Sequence, residues 1–199
     1  MPVDSPHLAS MMFELQQRGC HNLNLVSPTH VVPQILQALL AAVQQGLRLP
    51  LVYNSGGFDT LEILNWLDGL VDIYLPDMKY SNPAIAQKYS LAEDYPQVNR
   101  IAVKEMHRQV GDLQLNSDGV ATRGLLVRHL LLPDGLAGTN AILQFLAKEI
   151  SMNTYVNIMD QYRPDYNARD YPELMRLVTR DEYQQARQVA QNLGLNRLE

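Results

Sequence analysis

The sequence predicts an α/β protein whose parallel sheet forms a partial (βα) barrel with a small β-hairpin insertion. Short apolar strands alternate with helical segments of about 10–15 residues, a pattern typical of βαβ units. About five core strands can be counted, which is too few for a closed barrel of eight strands. A chain of 199 residues suits one domain, so we expect a single domain over residues 1–199 with the hairpin at about residues 112–124.

Apolar periodicity and helix-end residues define the elements in the first part of the chain. Pro6 follows Ser5 at the start of the first predicted helix, Gly46 ends the second, and Asp59 is expected to cap the third. The predicted order is a helix at 5–19, a strand at 22–27, a helix at 32–46, a strand at 49–54, a helix at about 59–67 and a strand at 71–75.

The second part of the chain adds the hairpin and then returns to alternating strands and helices. Residues 116–119 read Asn-Ser-Asp-Gly, a tight-turn sequence, and Thr179 with Glu182 forms a capping box for a last helix that ends at Gly194. The other predicted elements are helices at 82–90, 95–110 and 139–150 and strands at 124–132 and 155–159.

Charge and hydropathy exclude several classes of protein. The chain has 16 Lys and Arg against 21 Asp and Glu, a net charge of -5 and no basic run, which argues against binding nucleic acid or an anionic membrane. The apolar run at residues 38–43 is far shorter than the roughly 20 residues that span a bilayer. Residues 1–6 lack the features of a signal peptide, so we predict a cytoplasmic location. The first strand, at residues 22–27, or its neighbour has an open edge, so we expect the chain to self-associate or to be only marginally stable.

Polar residues are concentrated in the loops that follow the predicted strands. In a barrel or half-barrel these loops form one rim, which is where ligands bind. The sequence has no dinucleotide-binding glycine motif and no phosphate-binding loop of the Walker type. The candidate rim loops are residues 27–30, 54–57, 76–79 and 160–163.

Asp77 and Lys79 are the first candidate pair. They lie two residues apart at a strand end, so both side chains should point the same way. A carboxylate and an ammonium at a rim can hold a zwitterionic or hydroxylated ligand. Two alternatives remain: Lys79 could form a Schiff base with a carbonyl substrate, or the two residues could form a structural ion pair.

Arg128 and His129 are the second candidate pair. They are adjacent within an apolar strand, so they face opposite sides of the sheet and only one can face the barrel interior. One of them is expected to bind an anionic or hydroxylated group, unless both only extend to solvent at a sheet edge. His30 follows the first strand and could act as a base, bind a ligand or simply begin a helix.

Several blocks of the sequence, taken together, resemble radical SAM proteins of the pyruvate formate-lyase activating type. The resemblance covers about residues 8–199. It rests on Ser27-Pro28-Thr29-His30, Asn54-Ser55-Gly56 and Asp77-Met78-Lys79 in this order and spacing, with further similar blocks at residues 19–30, 106–112, 123–129 and 157–162.

The resemblance implies a partial (βα)6 barrel that binds S-adenosylmethionine across its strand ends. In that family a [4Fe-4S] cluster cleaves the cofactor reductively, and the resulting 5′-deoxyadenosyl radical abstracts hydrogen from a glycine of a partner enzyme. The partner implied here is therefore a glycyl-radical-type enzyme. The implied contacts are Thr29 and His30 for the amino group, Asn54 and Ser55 near the ribose, Asp77 and Lys79 for other polar groups, and Arg128 or His129 from a late strand.

Two features depart from the family pattern. His30 stands where the family has an acidic residue. The Cys-x-x-x-Cys-x-x-Cys loop that holds the cluster is absent, and Cys20 is the single cysteine. One thiolate cannot hold a [4Fe-4S] cluster, so this chain alone should not ligate it, and a cluster-bearing segment upstream is the expected missing partner.

Three functions are therefore open at this stage. The chain is first interpreted as an incomplete radical SAM activase-like enzyme. The second interpretation is a binding module that keeps a pocket for S-adenosylmethionine or a partner surface without redox chemistry. The third is a cluster-independent barrel enzyme that uses Lys79 covalently.

Overall fold

The computed structural model describes residues 3–199. Met1 and Pro2, which begin the segment examined for a signal peptide, lie outside the described residues. Helices and strands alternate as predicted, with short 3-10 turns in the loops. The elements are α1 (Ser5–Gln17), β1 (Leu23–Val26), α2 (Val32–Gln44), β2 (Leu51–Ser55), α3 (Leu61–Leu67), β3 (Ile73–Pro76), α4 (Pro83–Ser90), α5 (Tyr95–Val110), β4 (Gln114–Leu115), β5 (Ala121–Leu130), α6 (Thr139–Phe145), β6 (Tyr155–Met159) and α7 (Arg180–Asn192).

Within residues 3–199, six strands form a mostly parallel sheet. Strands β1, β2, β3, β5 and β6 are parallel neighbours in this order. Short β4 pairs antiparallel with the start of β5, where Gln114 lies opposite Arg123, so the predicted hairpin is confirmed. Because the other five strands are parallel, their carboxyl ends and the loops that follow them lie at one edge of the sheet.

The main core lies on one face of the sheet. Alternate strand residues such as Leu51, Tyr53 and Tyr74 pack there against helices, because successive side chains of a strand point to opposite faces. Helix α2 is typical: Ile35, Ala38 and other buried residues recur at helical spacing on its inner side. Among residues 3–199, no helix is long and apolar enough to cross a membrane.

The opposite side of the sheet, here called the open face, carries two zones. A small apolar cluster of Val52, Ile73 and Leu113 covers its middle part. Nearer the carboxyl ends of the strands the same face carries polar side chains. Asp77 and Arg128 lie opposite each other there in the sheet register. This change from apolar to polar along one face positions the candidate site.

The cap of α3 differs from the prediction. Thr60, not Asp59, is the capping residue, and its hydroxyl accepts a hydrogen bond from the Ile63 amide at 3.4 Å. Asp59 turns inward and is 1% exposed. The sequence suggested a cap because Asp59 precedes the helix, but three hydroxyl donors in the folded chain bind its carboxylate instead.

Gly57 is a glycine that the fold requires. Its φ is +71°, and a Cβ built on it would lie 2.2 Å from Asn99 Nδ2 and 2.4 Å from the Asp77 carbonyl oxygen. We expect Gly57→Ala to lower the free energy of unfolding by about 3 kcal/mol or more, because steric overlap adds to backbone strain. Urea unfolding followed by circular dichroism measures this.

Gly69→Ala is the matched control. Gly69 has a similar φ of +79° with no atom within 4 Å of the added Cβ, so only the backbone strain remains. That strain costs about 1–2 kcal/mol. Equal losses in the two variants would show that the approach of Asn99 and Asp77 to Gly57 is unimportant.

Candidate functional site

Four polar side chains converge at the carboxyl edge of the open face; they are called the mouth cluster. Asn54 is the residue before the last of β2, Asp77 and Lys79 follow β3, and Arg128 lies in β5. Lys79 Nζ is 2.6 Å from Asp77 Oδ2, and Arg128 Nη2 is 2.7 Å from Asp77 Oδ1. Arg128 Nη2 also donates to Asn54 Oδ1 at 2.8 Å. The structure therefore brings together four of the residues singled out in the sequence.

Asp77, Lys79 and Arg128 of the mouth cluster line a cavity of about 500 Å³, called the mouth cavity. This volume lies within the range of about 300–1,000 Å³ usual for small-molecule sites. The loop after β6 supplies the opposite wall with Gln161, Tyr162 and Arg163. This is one of the rim loops expected from the sequence, so the rim prediction and the cavity coincide.

Two residues of α5 hold the loops of the site in place. The Asn99 amide nitrogen donates to the carbonyl oxygens of Gly57 and Asp77 at 3.0 and 2.9 Å. The Tyr95 hydroxyl donates to the Gly56 carbonyl oxygen at 2.9 Å and accepts from the backbone N–H of Lys79 at 3.1 Å. Burial raises the pKa of Tyr95 well above its ordinary value, which keeps the phenol protonated as a donor.

Thr29 and Ser55 meet behind the mouth cluster, at the buried carboxylate of Asp59. Thr29 Oγ1 and the Tyr53 hydroxyl donate to Asp59 Oδ1 at 2.7 and 2.8 Å, and Ser55 Oγ donates to Asp59 Oδ2 at 2.7 Å. Burial, followed by the charge of Asp59, raises the pKa of Tyr53. These bonds tie the loop after β1 to the loop after β2.

The two histidines among the predicted site residues lie outside the mouth cluster. His30 is exposed in the 3-10 turn that leads into α2. His129 is fully buried on the helix side of β5, as the alternation with Arg128 requires. Its Nδ1 donates to the Met78 carbonyl oxygen at 2.7 Å, so Nε2 accepts from the Thr139 hydroxyl at 2.9 Å. Burial lowers the pKa of His129 to about 4, which keeps the ring neutral.

The mouth cluster retains unused hydrogen-bonding capacity. Arg128 Nε is buried without a hydrogen-bond partner, and the contact of Asp77 Oδ1 with Arg128 lacks the alignment of a hydrogen bond. Buried polar atoms are rarely left unpaired, and strain, a functional role or a bound water or ion can each account for one. The exposed parts of Lys79, Arg128 and Asp77 offer donors and an acceptor together, a combination that an amino acid moiety fits.

The chain does not provide the ligands of a [4Fe-4S] cluster. Cys20, the one cysteine of the sequence, is half-buried near the end of α1. Within residues 3–199 no three His, Cys, Asp or Glu side chains are grouped closely enough to hold a metal ion. A cluster of this kind is held by several thiolates, so the side chains present do not fit it.

Three positioning residues were not recognised from the sequence. Asp59 looked like a helix cap, and the only available signal was an acidic residue just after a rim loop. Tyr95 and Asn99 gave no signal, because their partners at Gly56, Gly57 and Asp77 lie 18–42 residues away in the chain. Contacts between residues so far apart in the chain do not affect the local periodicity of the sequence.

Comparison with known proteins identifies a sequence relative and a structural neighbour. No protein-family model matches the chain. Over 178 residues it is 31% identical to an uncharacterised protein of Methanocaldococcus jannaschii, covering 88% of this chain and 47% of that protein. The chain thus spans about half the length of this relative.

The structural neighbour is a domain of the pyruvate-formate lyase-activating enzyme from Bacteroides vulgatus. The TM-score is 0.61 at 14% sequence identity, over 89% of this chain and 97% of that domain. At this low identity the likeness shows a shared fold. It confirms the predicted α/β architecture with a mostly parallel sheet.

Replacing Asp59 should loosen the loops behind the mouth cluster. We expect Asp59→Ala to lower the free energy of unfolding by about 2–4 kcal/mol, since the buried hydroxyls of Tyr53 and Ser55 lose their acceptor. Chemical unfolding measures the effect. Asp118→Ala, in the exposed hairpin turn, is the control and should change stability by less than about 0.5 kcal/mol. Similar losses in both variants would contradict a special role for Asp59.

His129 should make the protein less stable in mild acid. Its pKa falls from 6.5 to about 4 on folding, so the unfolded chain binds the proton more tightly than the folded one. Stability contributed by the neutral ring is complete above pH 6.5 and is lost as the pH falls towards 4, by about 2 kcal/mol between pH 7 and 5.

The variant His129→Gln tests this pH dependence. Glutamine can replace both hydrogen bonds but does not titrate, so its free energy of unfolding should fall by about 2 kcal/mol less than that of the parent between pH 7 and 5. Urea titrations at both pH values give the difference. Parallel pH profiles would show that His129 does not control acid stability.

Proposed function

We propose that this chain is the cofactor-binding part of a radical SAM activase-like enzyme, which binds S-adenosylmethionine at the mouth cluster and generates a radical on a partner protein or substrate. One observation supports this most directly: Asn54, Asp77, Lys79 and Arg128 converge at the carboxyl edge of a sheet with the fold of a pyruvate-formate lyase-activating enzyme domain. In α/β folds of this kind the carboxyl edge is the usual ligand site.

The mouth cluster can bind both charged groups of the methionine moiety. Arg128 and Lys79 are the donors for its carboxylate, since both side chains are partly exposed at the mouth. The partly exposed Asp77 carboxylate and Asn54 Oδ1 are the acceptors for its ammonium or for a ribose hydroxyl. Asn99 and Tyr95 keep the two loops at a fixed distance, so these donors and acceptors are held in place before a ligand arrives.

The radical chemistry needs a group that the chain does not hold by itself. In radical SAM enzymes the bound cofactor supplies a 5′-deoxyadenosyl radical after reduction by a [4Fe-4S] cluster. Since Cys20 is the sole thiolate, cluster ligands would have to come from residues outside this sequence. The role of this chain's residues is therefore to bind and orient the cofactor, with a glycyl-radical-type enzyme as the proposed partner.

A binding module without redox chemistry is the second candidate. The single cysteine favours it, and so does the spare hydrogen-bonding capacity of the mouth cluster, which serves a binding role equally well. The Schiff-base enzyme has less support, because Lys79 Nζ is held in an ion pair with Asp77 and its side chain is 45% exposed.

The proposed function is tested by the binding of S-adenosylhomocysteine, which carries the same amino acid and adenosine groups. We expect a dissociation constant between about 10 μM and 1 mM, weakened at least tenfold (about 1.4 kcal/mol) by Lys79→Met. Titration calorimetry, or ligand-observed NMR at the weak end, gives both values.

Lys104→Met is the matched control. Lys104 is half exposed and forms an ion pair with Glu149 at 2.6 Å, as Lys79 does with Asp77, but it lies on α5 away from the mouth cluster. It should leave both the affinity and the melting temperature unchanged. If S-adenosylhomocysteine does not bind at millimolar concentration, or if the two variants behave alike, the proposal is wrong.

A further inference from the structure

Beside the mouth cavity lies a second cavity of about 470 Å³ that is lined by half of the tyrosines in the chain. It lies between α4, the 3-10 turns at residues 166–174 and the loop after β6. We call it the tyrosine pocket. The five tyrosines are Tyr80, Tyr89, Tyr162, Tyr166 and Tyr171.

Four of these rings are fixed by protein contacts of their hydroxyl groups. The Tyr80 hydroxyl lies 3.0 Å from Ser90 Oγ, and the Tyr89 hydroxyl donates to a Glu173 carboxylate oxygen at 2.7 Å. The Tyr162 hydroxyl donates to the Leu174 carbonyl oxygen at 3.1 Å, and the Tyr171 hydroxyl donates to the Lys88 carbonyl oxygen at 2.9 Å. Because the hydroxyls are used internally, the walls offer ring surface to a ligand rather than hydrogen bonds. Rings that are already fixed lose little entropy on binding, so an aromatic group suits this pocket.

The fifth ring, Tyr166, lies at the edge of the pocket in an unfavourable conformation. Its φ is +54°, a value rare for a bulky residue, and the side chain is 87% exposed. Residues with such a strained backbone cluster at active sites, ligand clamps and switch regions. Tyr166 is therefore placed to cover a ring that enters the pocket.

The cation that aromatic walls usually attract is already present. Lys88 Nζ lies 5.2 Å and 5.5 Å from the ring centroids of Tyr89 and Tyr171, and it is paired with Glu173. The remaining charge of the lining is Asp165, which disfavours an anion within the pocket itself. An uncharged ring is the group that fits.

The neighbouring mouth cavity has the opposite charge. It is lined by three cations, Lys79, Arg128 and Arg163, against the single carboxylate of Asp77. Lys79 and Arg128 are both engaged with Asp77, whereas Arg163 forms no ion pair within residues 3–199. In a chain with a net charge of -5, this is a local site for an anionic group.

Tyr162 lines both cavities, so the two adjoin at this residue. We propose that the chain binds a ligand with an aromatic ring in the tyrosine pocket and an anionic group at Arg163. This inference deepens the proposed function, because it names the chemical class of the second substrate. Only the statement that the ligand is a substrate rests on the proposed function. The ring-and-anion combination is found both in free aromatic acids and in aromatic residues beside an acidic group in a polypeptide.

The test uses ω-phenylalkanoates with two to six chain carbons, in the absence of S-adenosylhomocysteine. We expect binding near 1 mM at the chain length that joins the two cavities, measured by ligand-observed NMR. The corresponding amide, without the charge, and hexanoate, without the ring, should each bind about tenfold more weakly. A blocked dipeptide, N-acetyl-phenylalanyl-aspartate amide, distinguishes the sources: tighter binding than the free acids indicates a polypeptide, and weaker binding indicates a small molecule.

Variants separate this site from general surface effects. Arg163→Gln and Tyr166→Ala should each weaken binding about fivefold or more. The controls are Arg169→Gln, another exposed arginine, and Trp66→Ala, an exposed aromatic residue of α3, and neither should change it. The inference is overturned if no phenylalkanoate binds below about 20 mM, or if the amide binds as well as the acid.

The two proposals can fail separately. Phenylalkanoate binding without S-adenosylhomocysteine binding would remove the proposed function and leave this site. The reverse result would remove the ring-and-anion site and leave the cofactor site.

Discussion

The candidate site depends on one residue, Asp77, because each of its polar groups joins a different part of the fold. Its N–H donates to the Ser55 carbonyl oxygen at 3.0 Å, and its carbonyl oxygen accepts from Asn99. Its two carboxylate oxygens face Lys79 and Arg128. β2, β3, β5 and α5 therefore meet at a single residue, and the carboxylate is only partly exposed. A half-buried carboxylate of this kind must be paired, and this requirement brings the two cations to the mouth.

The same pairing leaves the site with an excess of positive charge and with free donors. One carboxylate faces two cations, and the same geometry leaves both Asp77 Oδ1 and Arg128 Nε without a hydrogen-bond partner. The fold therefore holds a donor that protein groups do not use, at the edge where the parallel strands end. This is what a preorganised binding site requires, because the charges are in place before a ligand arrives.

Behind this cluster, a second network fixes the loops that carry it. Asp59, in the loop after β2, accepts hydrogen bonds from three hydroxyls, which belong to the loop after β1 and to the middle and end of β2. Tyr95 and Asn99 do the same for the loops after β2 and β3 from the side of α5. The open face is thus backed by two sets of buried hydrogen bonds, and a site supported in this way keeps its shape when its ligand is absent.

The sequence by itself determined the fold class and part of the mouth cluster. Alternating strands and helices and the helix-end residues depend on neighbours within a few positions, so the parallel sheet and its rim loops could be predicted. The spacing of Asp77 and Lys79 placed both side chains on one side, and the alternation of Arg128 with His129 showed that only one of them could face the open side. Tertiary structure decided the rest. It selected Arg128 and buried His129, turned Asp59 from an expected cap into a buried acceptor, and gathered tyrosines from residues 80–171 into one pocket. These outcomes depend on contacts between residues far apart in the chain, which the local pattern of the sequence does not encode.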